Sequence, residues 1–382
     1  MLTVFIGYWF ILTSSYLVIY GSNRSFFIIL LGCLGFFIGY KICKKNSSKI
    51  ISTDIFTSDS VTKKESVIIL LYGISFVVNV FLAMMSWVWY REGFTWAQIR
   101  GLFLAGNDMP TPLRLFEVAY VIPLNFISGI IFSIEYVFSN SKYKKPLILF
   151  LSLGSIILFS FASQGRFVFL YFFICLIITY KEFVRNNIEV LKLRKYITAI
   201  FIAIILFTVY RGIEAESDNS VLYTIASFWN YAILPMDLIN YYVNIIDVKT
   251  LQGDLYVFLA GGIGLLDNVA NLIGIDVGQS EKIKDFIDSF SDAVYIRDSD
   301  TNSFVSLFTY FYLDMREYGV FMESMIFGSM CAWFSNSKYK SGFRYSLYLL
   351  FWIIIAMSPV RWGFSQLSVC ACIIYLYVLF RK

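Results

Sequence analysis

The chain has 382 residues, of which 58% are hydrophobic and 15% charged, with a formal net charge of +5. Its apolar residues are gathered into runs of about 20, the length that crosses a bilayer core, rather than scattered as in a water-soluble core. That excludes a soluble globular enzyme, and the absence of an aromatic-interleaved basic patch in a soluble domain excludes a nucleic-acid binder. Helices, not a barrel, carry the spans.

In chain order, spans are predicted near 2–20, 25–40, 67–89, 116–138, 147–162, 167–180, 196–212, 304–334, 345–358 and 364–380. The first run, Leu2 to Tyr20, has no basic stretch before it and no small-residue cleavage pattern after it, so it reads as a retained span rather than a signal peptide. The expected fold class is therefore all-α: a polytopic integral membrane protein with about ten transmembrane helices and one large outer loop. Three parts follow, with N-terminal membrane helices over 1–212, the large loop over 213–303, and C-terminal membrane helices over 304–382.

With the N-terminus inside, the inner segments hold 19 of the 31 basic residues. The outer segments, leaving out the long loop, hold 8, so the positive-inside rule places both termini in the cytoplasm. The kind of base also differs. The inside carries 15 lysines and 4 arginines, whereas the outside carries 3 lysines and 9 arginines, among them Arg24, Arg91, Arg100, Arg114, Arg166, Arg211, Arg316 and Arg361. A single arginine at an interface is accounted for by snorkelling. A set of them on one face points to an anionic ligand, because guanidinium forks bind phosphate bidentately.

The loop over 213–303 is acidic and polar at both ends and apolar in the middle, where 220–246 and 255–275 carry embedded Trp, Tyr, Asn and Asp. Asp237, Asn240 and Asn244 fall on one helical face beside Pro235, which suggests a half-buried or re-entrant helix. If both segments crossed, the count would rise to about twelve and the termini would stay inside. Trp229, Tyr231, Tyr241 and Tyr242 beside those polar groups offer stacking faces for sugars, with an interfacial aromatic belt as the plainer explanation. The glycines at 261–264 are no phosphate loop, since no lysine follows; they mark a flexible or closely packed backbone point.

Histidine is absent, so the commonest base and metal ligand is missing and proton transfer falls to carboxylates. The six cysteines lie in or at the edges of apolar runs with no CxxC pair, and read as packing residues. No metal site and no cofactor is expected.

Residues 302–328, NSFVSLFTYFYLDMREYGVFMESMIFG, resemble the pattern that O-antigen polymerases (Wzy-type oligosaccharide repeat unit polymerases) carry after their large periplasmic loop: Asn-Ser-aromatic, an apolar stretch ending in Tyr, then Asp-Phe-Gly-x-x-Gly leading into a helix. Asp314 matches the acid, Gly319 the second glycine and Gly328 a later one, while Arg316 stands where the family has its first glycine. Ser163 and Arg166 resemble the family's Ser-x-x-Arg at the outer start of a middle helix.

The resemblance implies a metal-independent membrane glycosyltransferase that joins undecaprenyl-diphosphate-linked oligosaccharide repeat units at the outer face of the bacterial inner membrane. Its partners would be a lipid-linked donor and acceptor, membrane lipid and a chain-length regulator protein. The products would be O-antigen or capsule-type polysaccharide, a part of lipopolysaccharide in the first case. O-antigen ligases share the architecture but rely on a loop histidine that is missing here. A lipid-linked glycan flippase or transporter is the alternative from another class, although no internal repeat accompanies it.

Arginines at the membrane surface would stabilise the departing diphosphate, with Arg166 and Arg211 first and Arg316 and Arg361 next. Asp314 and Glu323 are the candidate bases, the former matching the family's acid and the latter an ionisable group a turn inside an apolar helix. The plainer explanation of Asp314 is a helix cap or an ion pair with Arg316. Trp229, Tyr231, Asp237 and Asn240 are the candidate glycan contacts.

Overall fold

The computed structural model describes residues 1–20, 23–44, 64–105, 116–139, 141–163, 165, 167–184, 191–214, 220–253, 255–264, 266, 281–291, 294–296, 299–301, 305–338 and 341–381. Side chains at 15–20, 207–214 and 220–233, among others, lie outside the description.

The architecture is helical. In chain order the helices are α1 (Leu2–Tyr20), α2 (Asn23–Cys43), α3 (Glu65–Arg91), α4 (Trp96–Ala105), α5 (Ile122–Phe138), α6 (Lys144–Ser163), α7 (Phe167–Phe183), α8 (Leu193–Glu214), α9 (Ser220–Val248), α10 (Glu281–Asp288), α11 (Leu307–Ser337), α12 (Gly342–Met357) and α13 (Leu367–Phe380). A π-helical turn, Glu117–Val121, leads into α5. Two three-residue strands, β1 (Val294–Ile296) and β2 (Ser299–Thr301), pair antiparallel inside the long loop. A helix occupies every segment predicted as a span.

Among the described residues four helical stretches are long and apolar enough to cross a membrane: Arg24–Cys43, Glu65–Arg91, Ala119–Phe138 and Lys144–Ser163. Leu2–Ser14, Gly342–Met357 and Leu367–Phe380 are shorter apolar helices. The pattern along α3 shows why this is a membrane protein. Its buried face reads Ile68, Tyr72, Ser75, Asn79, Leu82 and Ser86, while Val67, Leu70, Ile74, Val77, Phe81, Met84 and Val88 are exposed on the opposite face. Both sets recur every three or four residues, so one helix turns its polar side chains inward and a long apolar stripe outward. In water such a stripe would be a liability; against lipid tails it is the matched surface.

The chain divides into two compact units. The first comprises Met1–Ser48, Leu222–Asn336 and Ile354–Cys370, and the second Lys49–Val221, Ser337–Ile353 and Ala371–Lys382.

The second unit is built around α5, buried from Pro123 to Tyr136. The amides of Asn79 and Asn125 bond reciprocally at 3.3 Å, and the Tyr72 hydroxyl donates to the Leu124 carbonyl at 2.7 Å while accepting from Ser128 at 3.1 Å. Such groups must be satisfied internally, because lipid offers no replacement partner. Gly129 lets α5 approach the Phe172 backbone, where a Cβ would come within 2.7 Å of its Cα.

In the first unit α2 and α11 touch backbone to backbone. A Cβ at Gly35, Gly39 or Gly328 would collide with the carbonyl of Phe321, Met325 or Phe36 respectively. Three glycines on matching faces bring two helices closer than any side chain allows. Phe5 stacks on Phe36 at 3.9 Å between ring centroids, with Phe308 and Phe327 edge-on around them.

One prediction needs correcting. The stretch near 304–334 was expected as one continuous span, yet α11 is broken at Met315 and Arg316, whose φ/ψ values of −142°/36° and 55°/−139° are not helical. The uninterrupted apolar pattern hides the break because both halves bury the same kind of residue.

Candidate functional site

Within the first unit, three interruptions of regular helix come together. The first is the α11 break. The second is the stretch at 358–366, which is turns and a short 3-10 helix, and the third is the turns at 249–253 and 255–259 that follow α9.

Asp314, the last residue before the break, pins the turns. Its Oδ1 accepts from the Val257 N–H at 2.9 Å and its Oδ2 from the Phe258 N–H at 2.7 Å, and the Gly253 N–H donates to the Leu313 carbonyl at 2.9 Å. Gly253 is required because a Cβ there would collide with Asp314 Oδ1. Trp362 joins the second interruption to the third, its indole donating to the Phe258 carbonyl at 2.9 Å with its ring against Phe311 and Phe327. Gly261, the first of the paired glycines, meets the main chain of Phe364 and Gln366, so it is a point of close packing.

Among the described residues the non-glycine residues with positive φ are Thr250, Leu255 and Arg316, and all three lie in this junction. Each such position costs about 1–3 kcal/mol and persists only where the surroundings enforce it. Arg316 is the most informative, because the resemblance expects glycine there and the backbone adopts a conformation that glycine takes without strain.

The Arg316 side chain turns toward the end of α9. Its Nη2 donates to the Ile246 carbonyl at 3.1 Å and its Nε lies 3.4 Å from Asp247 Oδ1. Asp247 also pairs with Arg24 from the start of α2. The Tyr312 hydroxyl donates to Asp247 at 2.9 Å and accepts from Arg24 at the same distance, with Glu317 Oε1 3.5 Å away. Asn244 accepts from Arg24 at 3.2 Å. Arg24 and Arg316 lie beside the Tyr312 ring, 5.9 and 5.5 Å from its centroid. Arg316 Nη1 is buried without a hydrogen-bond partner among the described residues.

Glu323 is wholly buried. The charged group acting on it is Asp314. Thus the two candidate bases do form one constellation. Asp314 is anchored to main-chain N–H groups, while the charged partner of Arg316 is Asp247.

The remaining candidates separate. Arg361 is half-buried in the 358–366 stretch beside Trp362. Asp237 and Asn240 are half-buried on α9, which runs through Pro235 as one 29-residue helix. Arg166 lies outside the described residues, as do the side chains of Arg211, Trp229 and Tyr231. Asp247 and Tyr312 were not singled out from sequence, and Arg24 only as one of the outer arginines. A signal existed: Asp247 continues the face of Asp237, Asn240 and Asn244 by one more turn.

Among the described residues no group of three or more His, Cys, Asp or Glu side chains is placed to hold a metal. No protein-family model matches the chain, and no curated protein or solved structure matches it either.

Proposed function

We propose that the protein is a polysaccharide polymerase, a membrane glycosyltransferase that joins lipid-diphosphate-linked oligosaccharide repeat units at the outer face of a bacterial inner membrane. The observation that carries the reading is the junction in the first unit, where every described positive-φ side-chain residue coincides with a carboxylate pair and an arginine pair. Strain, buried acid and guanidinium together are what displacement of a diphosphate requires.

Arg316 and Arg361 are the diphosphate ligands in the described part of the site, and they stabilise negative charge as it develops on the leaving group. Asp314 fixes the turns at 255–259, and Glu323 beside it takes the acceptor hydroxyl proton. The half-buried Asp237 and Asn240 would meet the glycan. About ten spans with both termini cytoplasmic complete the proposed topology.

The test is direct. Purified protein given a defined undecaprenyl-diphosphate-linked repeat unit should yield a ladder of lengths, and folded protein that yields none removes the reading. A lipid-linked glycan transporter is the second reading, favoured by the break inside α11, since interrupted helices mark transport sites. It predicts movement of the labelled unit across the bilayer without any increase in its length.

A further inference from the structure

The cluster of Arg24, Asp247, Tyr312 and Arg316 has a feature that a simple interhelical lock does not explain. Three donors from two helices converge on one small anion, the Asp247 carboxylate of α9: a guanidinium of α2, and the hydroxyl of Tyr312 and Nε of Arg316 from α11. The carboxylate does not exhaust them. Arg316 keeps a buried Nη1 without a partner, and Arg24 keeps 45% of its side chain exposed. The opposing charges are Asp247 at the centre and Glu317 at the edge, near the Tyr312 hydroxyl. A phosphate group has more acceptor oxygens than a carboxylate and matches two guanidinium forks better.

We propose that Arg24, Tyr312 and Arg316 form a binding site for a phosphate or diphosphate group, and that Asp247 is the resident carboxylate which this ligand displaces. With Asp247 swung away, both forks and the phenol face a single anion and the idle Nη1 gains a partner. Asp247 therefore sets the affinity: it keeps the arginines from collecting every passing anion and yields to a ligand with more charge. The choice of a lipid-linked diphosphate as the natural ligand rests on the polymerase reading, whereas the site itself can be assayed with a free anion.

The experiment uses the full chain in phosphatidylcholine nanodiscs with inorganic diphosphate as the probe, read by calorimetry. Asp247→Asn is expected to bind at least about tenfold more tightly than the unaltered protein, the equivalent of roughly one charge-assisted hydrogen bond. Arg24→Gln is expected to weaken binding by at least about tenfold.

Adding phosphatidic acid to the nanodisc separates the sources. Reduced binding of free diphosphate means that a lipid headgroup occupies the same fork, and unchanged binding means that the free anion is the chemistry selected. Both results keep the site.

Asp247→Asn binding no more tightly than the unaltered protein overturns the proposal, because Asp247 then only orients the arginines. Undiminished binding by Arg24→Gln overturns it too, and that variant decides the matter if Asp247→Asn does not fold. The expected pattern in a protein that makes no polymer would keep this site and remove the polymerase reading. Polymer formation together with diphosphate binding indifferent to Arg24 would do the reverse.

Discussion

Both units bury acids, and they differ in what surrounds them. In the second, neutral side chains pair within regular helices, Asn79 with Asn125 and Tyr72 with Leu124 and Ser128, alongside the buried acids Glu65, Glu117 and Glu135. In the first, charged groups lie where helices stop, incompletely paired at Arg316 Nη1 and clamped to main-chain N–H groups at Asp314. A neutral, saturated network fixes which helix faces meet and leaves nothing over for a ligand. A charged, unsaturated one costs stability, and a membrane protein tolerates that cost where chemistry or binding uses it. Under the proposed function, the charged junction of the first unit is the site and the network that pairs Asn79 with Asn125 in the second is scaffold.

Removal of a reacting group gives the largest expected effect. Glu323→Gln should lower polymer formation by about 10²–10⁴-fold if Glu323 is the base, while leaving a folded protein, because the amide keeps the shape of the side chain and removes only its proton acceptance. A stable variant that polymerises normally would move the base elsewhere. Asp314→Asn should behave differently. Its two main-chain donors would share one acceptor oxygen, costing about 1–3 kcal/mol in thermal unfolding before any effect on rate.

Backbone contacts come next. Gly35→Ala and Gly328→Ala place a methyl group against a carbonyl and should each cost about 1–3 kcal/mol through forced separation of α2 and α11. Gly73→Ala in the second unit, where a Cβ meets nothing within 4 Å, should be neutral or slightly stabilising. Equal losses at all three positions would remove the close-packing account of the first unit.

Arg316 separates backbone from side chain. Arg316→Gly and Arg316→Ala both remove the guanidinium, but only glycine relieves the positive φ. The glycine variant should therefore unfold later by about 1 kcal/mol, with both variants equally impaired in activity. The smallest effect belongs to the scaffold: a double-mutant cycle on Asn79→Ala and Asn125→Ala should give a coupling of roughly 0.6 kcal/mol with no change in product length.

Much of the fold was legible in the sequence because lipid imposes a strong pattern. Runs of about 20 apolar residues mark helices, and each predicted segment is one. The break at 315–316 was not legible, since hydropathy is blind to φ and ψ. The positive φ of Arg316 carries no side-chain signature that a sequence could show.

Asp314 and Glu323 could be nominated singly as acids in an apolar setting, but their different states could not be read. The donors that hold Asp314 are main-chain N–H groups of Val257 and Phe258, which carry no side-chain signature. The pairing of Arg24 with Asp247 escaped for a similar reason. They are more than 200 residues apart, and only the fold makes them a pair.

The central claim, that the first unit carries the chemistry, is tested most directly by one matched measurement: the length distribution made from a defined lipid-linked repeat unit by Arg316→Lys and by Asn125→Ala, each at equal folded concentration. The expected result is a ladder lost or cut by about 10²-fold in Arg316→Lys, because a point charge cannot replace a guanidinium fork, and an unaltered ladder in Asn125→Ala. A normal ladder from Arg316→Lys beside a collapsed one from Asn125→Ala would contradict it.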